Sequence, residues 1–422
     1  MSMFRSSVVR KNFLALLVLQ GGNYVAPMIL APYLVRTLGF KLYGVWMFAV
    51  GFVIMVRVCV GYGFDLTATR QAAAYGPTQP DRVSALLVDV VAARVLIWLA
   101  CFSALLTATC FIAAMGSVRD LLLLGLFTVL GEALFPAWLF QGMETMGAIT
   151  GLKLGSRVIN LLLVVLFVRN AGNVTLVPVF ESLASLVVGI ASLAFAVRRF
   201  KLQLSRPKLR RIGNQLRDGV HIFISNLSVQ FYTTVNTLIL GFMAGASAVA
   251  AYALAEKVYS AVRGLLSPFV QAIFPVMVKA FVKGVDDFSK NFTTIIRILT
   301  VVLCSIAVSL YFASDAIIRL MAGNQQYDAA RVLAVFGISM PFAIGSFLAP
   351  MLVVRNRNAE LMRITLIGGS LGAVLAPALA WRFGAFGCAV SFLLVQAYNS
   401  LALLRENSKG QRLAKDTNDL QI

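Results

Sequence analysis

Long apolar runs separated by short polar segments follow one another along the whole 422-residue chain. Most runs contain about 20 residues, which is the length that an α-helix needs to cross a bilayer. Transmembrane strands are shorter and alternate in polarity, so the pattern predicts helices throughout. The twelve predicted helices lie at 12–35, 42–62, 84–112, 120–140, 152–169, 174–197, 219–243, 249–276, 292–313, 331–353, 362–381 and 384–404.

Polar side chains recur at helical spacing in three of these helices. The seventh helix carries them at intervals of four, three and four residues: Asn226, Gln230, Thr233 and Thr237. The eighth repeats the pattern with Tyr252, Glu256, Tyr259 and Arg263, and the first contributes Gln20 and Asn23. Such faces either form interhelical hydrogen bonds or line a polar cavity. We interpret six of these residues as candidate lining residues of a central cavity: Gln20, Asn23, Asn226, Gln230, Tyr252 and Tyr259.

Charged residues inside the apolar runs are the second signal, because a charge in a span usually faces a partner or water. The basic ones are Arg57, Arg94, Lys257 and Arg263. The acidic ones are Asp89, Glu132, Glu181 and Glu256, with Asp65 just after the second helix. We expect the four cations to form a ladder that binds an anion. The alternative is that Arg94 and Arg263 pair with Glu132, Asp89 or Glu256 and only hold helices together. Glu256 and Arg263 lie two turns apart, too far for direct contact.

The distribution of Lys and Arg predicts the orientation of the helices. The segment 198–217 carries eight of the 37 Lys and Arg residues and no Asp or Glu. With the N-terminus inside, 26 fall in cytoplasmic segments and the helix ends next to them, 7 in outer loops and the helix ends next to those, and 4 deeper within helices. Cytoplasmic loops of membrane proteins carry such an excess, so we expect both termini in the cytoplasm.

The basic central loop divides the predicted helices into six and six. We therefore predict an all-α polytopic membrane protein whose two six-helix halves, related as a parallel pseudo-repeat, surround a polar central cavity. The predicted segments are the N-terminal half 1–197, the connecting loop 198–218, the C-terminal half 219–404 and a cytoplasmic tail 405–422.

Motifs for catalysis and cofactor binding are missing from the sequence. It contains no GxxxxGK[ST], HExxH or CxxC pattern and a single histidine, His221. The one GxSxG match, at 368–372, lies inside the predicted helix 362–381, without the strand before it that a catalytic serine of this motif requires. The five cysteines all fall within predicted helices, where we expect packing residues and no disulfide or metal site. The net charge of +20 follows from the orientation of the loops and does not indicate nucleic-acid binding. We expect a transporter without a cofactor or metal, and not an enzyme.

Three stretches carry a family resemblance: 12–44 (NFLALLVLQGGNYVAPMILAPYLVRTLGFKLYG), 62–70 (YGFDLTATR) and 252–277 (YALAEKVYSAVRGLLSPFVQAIFPVM). They resemble the Wzx-type O-antigen flippases, in the multidrug/oligosaccharidyl-lipid/polysaccharide exporter superfamily. Asp65 departs from this family, which more often has a neutral residue there. The resemblance implies a bacterial inner-membrane protein that moves an undecaprenyl-pyrophosphate-linked oligosaccharide to the periplasmic leaflet by alternating access.

The same resemblance implies three further expectations. The O-antigen polymerase and the chain-length regulator are candidate partners, besides the lipid-linked substrate and the bilayer. Asp89, Glu132, Glu181 and Glu256 are candidates for ion coupling. Two other functions stay open at this point: a multidrug or organic-cation antiporter of the same superfamily, and an O-antigen polymerase or ligase, which should have a large periplasmic loop.

Overall fold

The structure is a computed structural model that describes residues 22, 25–76, 78–203, 206–264, 266, 270, 273, 277, 285–354 and 357–419. All regular elements within these ranges are helices, which confirms the predicted all-α class. The chain forms two compact units, Met1–Gln230 and Phe231–Ile422.

The described part of the N-terminal unit contains eight complete helices, α2 to α9, together with part of α1 and most of α10. They are α1 (Val25–Leu38), α2 (Phe40–Gly61), α3 (Phe64–Tyr75), α4 (Pro80–Phe111), α5 (Ala113–Gly116), α6 (Arg119–Leu134), α7 (Ala137–Gly142), α8 (Met146–Phe167), α9 (Leu176–Arg199) and α10 (Leu209–Thr233). The C-terminal unit continues with α11 (Val235–Met243), α12 (Ala246–Gly264), α13 (Val285–Ala322), α14 (Tyr327–Ser339), α15 (Gly345–Val354) and α16 (Asn358–Asp419).

Eight helical stretches of the described chain are long and apolar enough to cross a membrane. They are Phe40–Tyr75, Pro80–Phe111, Arg119–Gly142, Thr150–Phe167, Ala171–Arg199, Phe292–Ala322, Tyr327–Val353 and Ala359–Ser408. The apolar helix Val25–Leu38 is shorter. Much of the first predicted helix and the end of the eighth lie outside the described residues, so the count of twelve stays a prediction.

Helix α6 is the central element of the N-terminal unit, where it packs against α2, α4 and α9. Hydroxyl groups link it to α9: the Thr128 and Ser182 hydroxyls are 2.9 Å apart, and the Ser185 hydroxyl donates to the Thr128 carbonyl at 2.8 Å. Hydroxyl bonds of this kind are common between membrane helices, where apolar surface alone gives little drive for association. They leave α6 and α9 in close contact.

An aromatic cluster forms the interior of the C-terminal unit. Tyr252 and Tyr259 of α12 contact Phe336 of α14, with ring centroids 5.3 and 5.2 Å apart, and Tyr259 also contacts Phe392 of α16. Edge-on and tilted contacts at these distances are favourable for aromatic rings. Helix α12 is therefore held to α14 and α16 along one face.

Five sequence-based assignments are corrected by the structure. The region after the second predicted helix, expected as a loop, contains α3. The segment 198–218, also expected as a loop, contains the start of α10, and the predicted helix 219–243 is interrupted at Thr234. Pro136 and Pro341 break the predicted helices 120–140 and 331–353, because a proline cannot donate a helix hydrogen bond.

The predicted break between the last two helices is confirmed. Within α16, Gly384 adopts φ 55° and ψ −133°, which is not helical and is a conformation that L side chains rarely adopt. The helix is therefore kinked at Gly384, next to the predicted boundary at 382–383.

Candidate functional site

An ion pair with two accessible side chains lies between α2 and α6. Arg57 Nε is 2.7 Å from Glu132 Oε2, and the two side chains are 42% and 41% exposed. The side chains of an ion pair inside a packed core would be almost fully buried, whereas both of these side chains are partly exposed. Both residues were expected to face a polar path, and the contact joins two sequence positions 75 residues apart.

Three further charges surround the Arg57–Glu132 pair. Glu181 of α9 lies close enough to act electrostatically on Arg57, and Arg157 of α8 is influenced by Arg57, Glu132 and Glu181. Lys153, one turn before Arg157, is influenced by the same Glu132. Its Nζ lies 4.4 Å from the centroid of the Phe135 ring, and such a cation–π contact holds an ammonium group without neutralising it.

Arg94 of α4 belongs to a second, less accessible pair. Its Nη2 is 2.6 Å from Asp65 Oδ1 of α3, and its side chain is 6% exposed while that of Asp65 is 68% exposed. The guanidinium also lies 5.8 Å from the Phe64 ring centroid. Arg94 is therefore neutralised by a carboxylate that the sequence places at the exit of α2.

Together these residues form what we call the N-terminal charge cluster, which contains four cations and three carboxylates. Its members are Arg57, Arg94, Lys153, Arg157, Asp65, Glu132 and Glu181. Within the described part of the chain, neither Lys153 nor Arg157 has an ion-pair partner, although Arg157 donates a hydrogen bond to the Gly22 carbonyl at 3.1 Å. The cluster thus has a positive balance and can accept an anion.

Lys153 and Arg157 are absent from the residues that the sequence singled out. In the sequence they only interrupt the apolar run of the fifth predicted helix, 152–169. The signal that could have identified them is their spacing of four residues, which puts both on one face of α8. Membrane helices rarely carry two cations on one face without a partner or a polar cavity.

Asp89, a candidate for ion coupling, has structural partners instead of open space. Its side chain is 3% exposed, and Oδ2 lies 2.6 Å from Nε of Arg211. The backbone N–H of Lys208 donates to Asp89 Oδ1 at 3.2 Å. This carboxylate therefore connects the start of α10 to α4.

The charged residues of the C-terminal unit lie along α12. Glu256, Lys257 and Arg263 are half-buried, and none of them forms an ion pair within the described ranges. The expectation that Glu256 and Arg263 do not contact each other is confirmed.

The polar candidates occupy different environments. Tyr252 and Tyr259 are 1% and 2% exposed in the aromatic cluster, and the Asn236 side-chain amide donates to the Tyr252 hydroxyl at 2.9 Å. Asn226 is exposed and Gln230 is half-buried on α10. Gln20 and Asn23 lie outside the described residues.

The two residues of the Arg94–Asp65 pair should contribute unequally to stability. Removing one partner of a buried ion pair costs about 3–5 kcal/mol. Asp65→Ala leaves the buried Arg94 charge without a partner, and because Asp65 itself is exposed we expect a smaller loss of about 2 kcal/mol. Arg94→Met removes the buried charge itself and leaves only the exposed Asp65 carboxylate without its partner. It should therefore destabilise the protein less than Asp65→Ala does. Thermal unfolding of the purified protein, followed by tryptophan fluorescence, measures both.

The double variant Asp65→Ala/Arg94→Met is the control for that comparison. It should unfold at a higher temperature than Asp65→Ala alone, because the uncompensated buried charge is gone. A larger loss of stability in Arg94→Met than in Asp65→Ala would contradict the view that the unpaired buried charge of Arg94 is the main cost.

Comparison with known proteins gives consistent results. Residues 9–281 match the family described as “Polysaccharide biosynthesis protein”. The chain is 28% identical over 395 residues to a protein of Escherichia coli (strain K12) named “Putative O-antigen transporter”, covering 92% of this chain and 94% of that one. A Shigella dysenteriae protein of the same name is 25% identical over 402 residues, covering 94% and 99%.

Two solved structures share the fold. The lipid II flippase MurJ in an inward closed conformation aligns with a TM-score of 0.73 at 15% identity, covering 94% of this chain and 87% of that one. A multidrug resistance MATE family transporter in an inward-facing conformation also gives 0.73, at 14% identity and 94% coverage of both chains. With the apolar helices described above, these similarities identify a multi-pass membrane protein.

Proposed function

Because residues 9–281 match the family model, the chain belongs to the polysaccharide biosynthesis protein family, and we propose that it is a flippase for a lipid-linked oligosaccharide. Its substrate is an undecaprenyl-pyrophosphate-linked repeat unit, such as an O-antigen unit, which moves from the cytoplasmic to the periplasmic leaflet by alternating access. The observation that supports this most is the N-terminal charge cluster, which has a positive balance and whose Arg57–Glu132 pair is accessible.

The diphosphate is the part of the substrate that needs this cluster. It is a dense anion, and a planar guanidinium can bind two of its oxygens at once. Arg57 is paired with Glu132 but half-exposed, so an arriving diphosphate can compete with the carboxylate for the same guanidinium. Lys153 and Arg157 supply further positive charge beside it. The lipid tail can stay in the bilayer while the headgroup crosses.

Cations of the C-terminal unit extend the same proposal. Lys257 and Arg263 would provide the later binding positions of the ladder that starts at Arg57 and Arg94. We propose that sugar hydroxyls bind Gln20, Asn23, Asn226 and Gln230. Tyr252 and Tyr259, buried in the aromatic cluster, would support α12 and contact the sugar less directly.

Carboxylates beside the cations give the flippase a means of ion coupling. Glu132 and Glu181 can take up a proton or sodium ion when Arg57 turns to the diphosphate, and Glu256 can do so in the C-terminal unit. We assign Asp89 to anchoring α10. The membrane potential adds about 2.3 kcal/mol per charge per 100 mV in favour of an anion leaving the cytoplasm. No covalent chemistry is needed, so the proposed activity is not enzymatic.

Both termini and the segment 198–217 are cytoplasmic in this proposal. Alkaline phosphatase fused after Gln326 should be active, because that loop is then periplasmic, and a fusion after Lys208 should be inactive. Immunoblots of the two fusions control for their amounts. The opposite pattern of activity would reverse the orientation and the proposed direction of transport.

Deletion of the gene tests the activity itself. Radiolabelled lipid-linked repeat units should still be made and should accumulate in the cytoplasmic leaflet, because only their passage is blocked. If single repeat units still reached the lipid A core and only chain length were lost, the protein would act in polymerisation. If the lipid-linked unit were processed normally while cells became sensitive to organic cations, the antiporter alternative would be correct.

A further inference from the structure

A cationic surface lies at the junction of α9 and α10, and none of its residues belongs to the N-terminal charge cluster. We call residues 198–203 and 206–211 the basic strap. Six of its Lys and Arg residues are exposed: Arg198, Arg199, Lys201, Arg206, Lys208 and Arg210. Within the described residues, only the seventh cation, Arg211, forms an ion pair, with Asp89. The strap therefore presents six uncompensated charges at one surface.

The backbone of the strap is held to the N-terminal unit at several points. The N–H of Gln203 donates to the Ser84 hydroxyl at 3.0 Å, and the N–H of Lys208 donates to Asp89. Leu202 and Ile212 are both 6% exposed in the core cluster that also contains Phe140. These contacts hold the main chain in place, so the exposed cations stay close together. Binding of a ligand then costs little conformational entropy of the backbone.

The lipid-facing side of α9 leads directly to the strap. Leu183, Val187 and Ile190 are 53–58% exposed and follow each other at intervals of four and three residues. Arg198 lies eight residues after Ile190 and continues this stripe. Leu209, 81% exposed between Lys208 and Arg210, adds an apolar side chain. An apolar stripe that ends in clustered cations is typical of a surface at the boundary between hydrocarbon and headgroups.

We propose that the basic strap binds anionic phospholipid headgroups of the adjacent leaflet. Each Lys or Arg near an anionic lipid surface strengthens binding by about fivefold. Six exposed cations beside one apolar side chain match a lipid phosphate with its attached chain better than a soluble anion. This inference is independent of the proposed transport activity, since it uses none of the N-terminal charge cluster.

Binding of labelled phosphatidylglycerol to the full-length protein in neutral detergent micelles tests the strap. The triple variant Arg206→Gln/Lys208→Gln/Arg210→Gln should bind it at least about tenfold more weakly. The affinity of the parent protein should fall with added salt, because exposed charges are screened. The matched control Arg297→Gln/Arg363→Gln/Arg405→Gln removes three exposed cations of the C-terminal unit and should bind as the parent does.

Three results would overturn the proposal. The first is unchanged phosphatidylglycerol binding in the strap variant, and the second is an equal loss in the matched control. The third is a strap variant that binds phosphatidylglycerol normally but no longer binds farnesyl diphosphate, which would assign the strap to the diphosphate of a transport substrate. Unfolding temperatures of the variants exclude misfolding, since all the substituted side chains are exposed.

Discussion

Arg57→Ala should nearly abolish O-antigen display while the amount of protein in the membrane stays the same. The half-exposed guanidinium of Arg57 lies 2.7 Å from Glu132 in the N-terminal charge cluster. Hydrogen bonds to a charged group contribute about 1.5–3 kcal/mol each, which corresponds to roughly a 10–150-fold loss in binding. Arg57→Lys should keep part of the activity, because the charge remains but the two-oxygen geometry is lost.

The alternative is that Arg57 and Glu132 only join α2 to α6. In that case Arg57→Ala should lower the amount of membrane protein, and Arg57→Ala/Glu132→Ala should restore display. Arg319→Ala is a matched control, since Arg319 forms an exposed pair with Asp315 at the same 2.7 Å distance. It should leave display unchanged. Recovery in the Arg57/Glu132 double variant would remove Arg57 from the binding site.

Gly189→Leu should prevent the N-terminal unit from folding. A Cβ atom at Gly189 would lie 2.3 Å from the carbonyl oxygen of Gly131, which is backbone of α6 and cannot move aside like a side chain. Overpacking a helix contact typically costs about 1–3 kcal/mol and more when backbone must shift. The hydroxyl contacts from Thr128 to Ser182 and Ser185 would be lost as α6 and α9 separate.

The amount of folded protein in membranes measures this effect, by fluorescence-detected size-exclusion chromatography of a fusion with a fluorescent protein. Gly155→Leu is the matched control, because no atom lies within 4 Å of a Cβ at Gly155 on α8. We expect a monodisperse peak for the control and aggregated or degraded protein for Gly189→Leu. A normal peak for Gly189→Leu would mean that α6 and α9 are further apart than described.

Apolar patterning predicted most helices because a span must be long and apolar whatever its neighbours are. It did not predict α3, whose twelve residues mix polar side chains with small ones and are stabilised by contacts with α4 and α7. It also placed the start of α10 too late, because the first turns of that helix are rich in Arg and contain no apolar run. Tertiary contacts, such as Asp89 with Lys208 and Arg211, stabilise those turns.

The candidate site shows a similar division. Sequence identified Arg57 and Glu132 as unusual because charges inside apolar runs are rare, but their pairing joins helices far apart in the chain. Arg94 was expected to pair with Glu132, Asp89 or Glu256 if it paired at all. Its partner is Asp65, which the apolar pattern placed after the end of the second predicted helix. Lys153 and Arg157 were overlooked because in the apolar pattern they only shorten a run. Two cations inside such a run also indicate a polar environment around the helix.

Transport by the purified protein in liposomes tests the flippase proposal most directly. The substrate is a lipid-diphosphate oligosaccharide with a fluorophore on its sugar, and an impermeant reductant irreversibly quenches each molecule that reaches the outer leaflet. We predict nearly complete quenching with the parent protein and about half with Arg57→Ala or empty liposomes, where lipids stay in their original leaflets. Half quenching with the parent protein, or complete quenching with Arg57→Ala, would contradict the account.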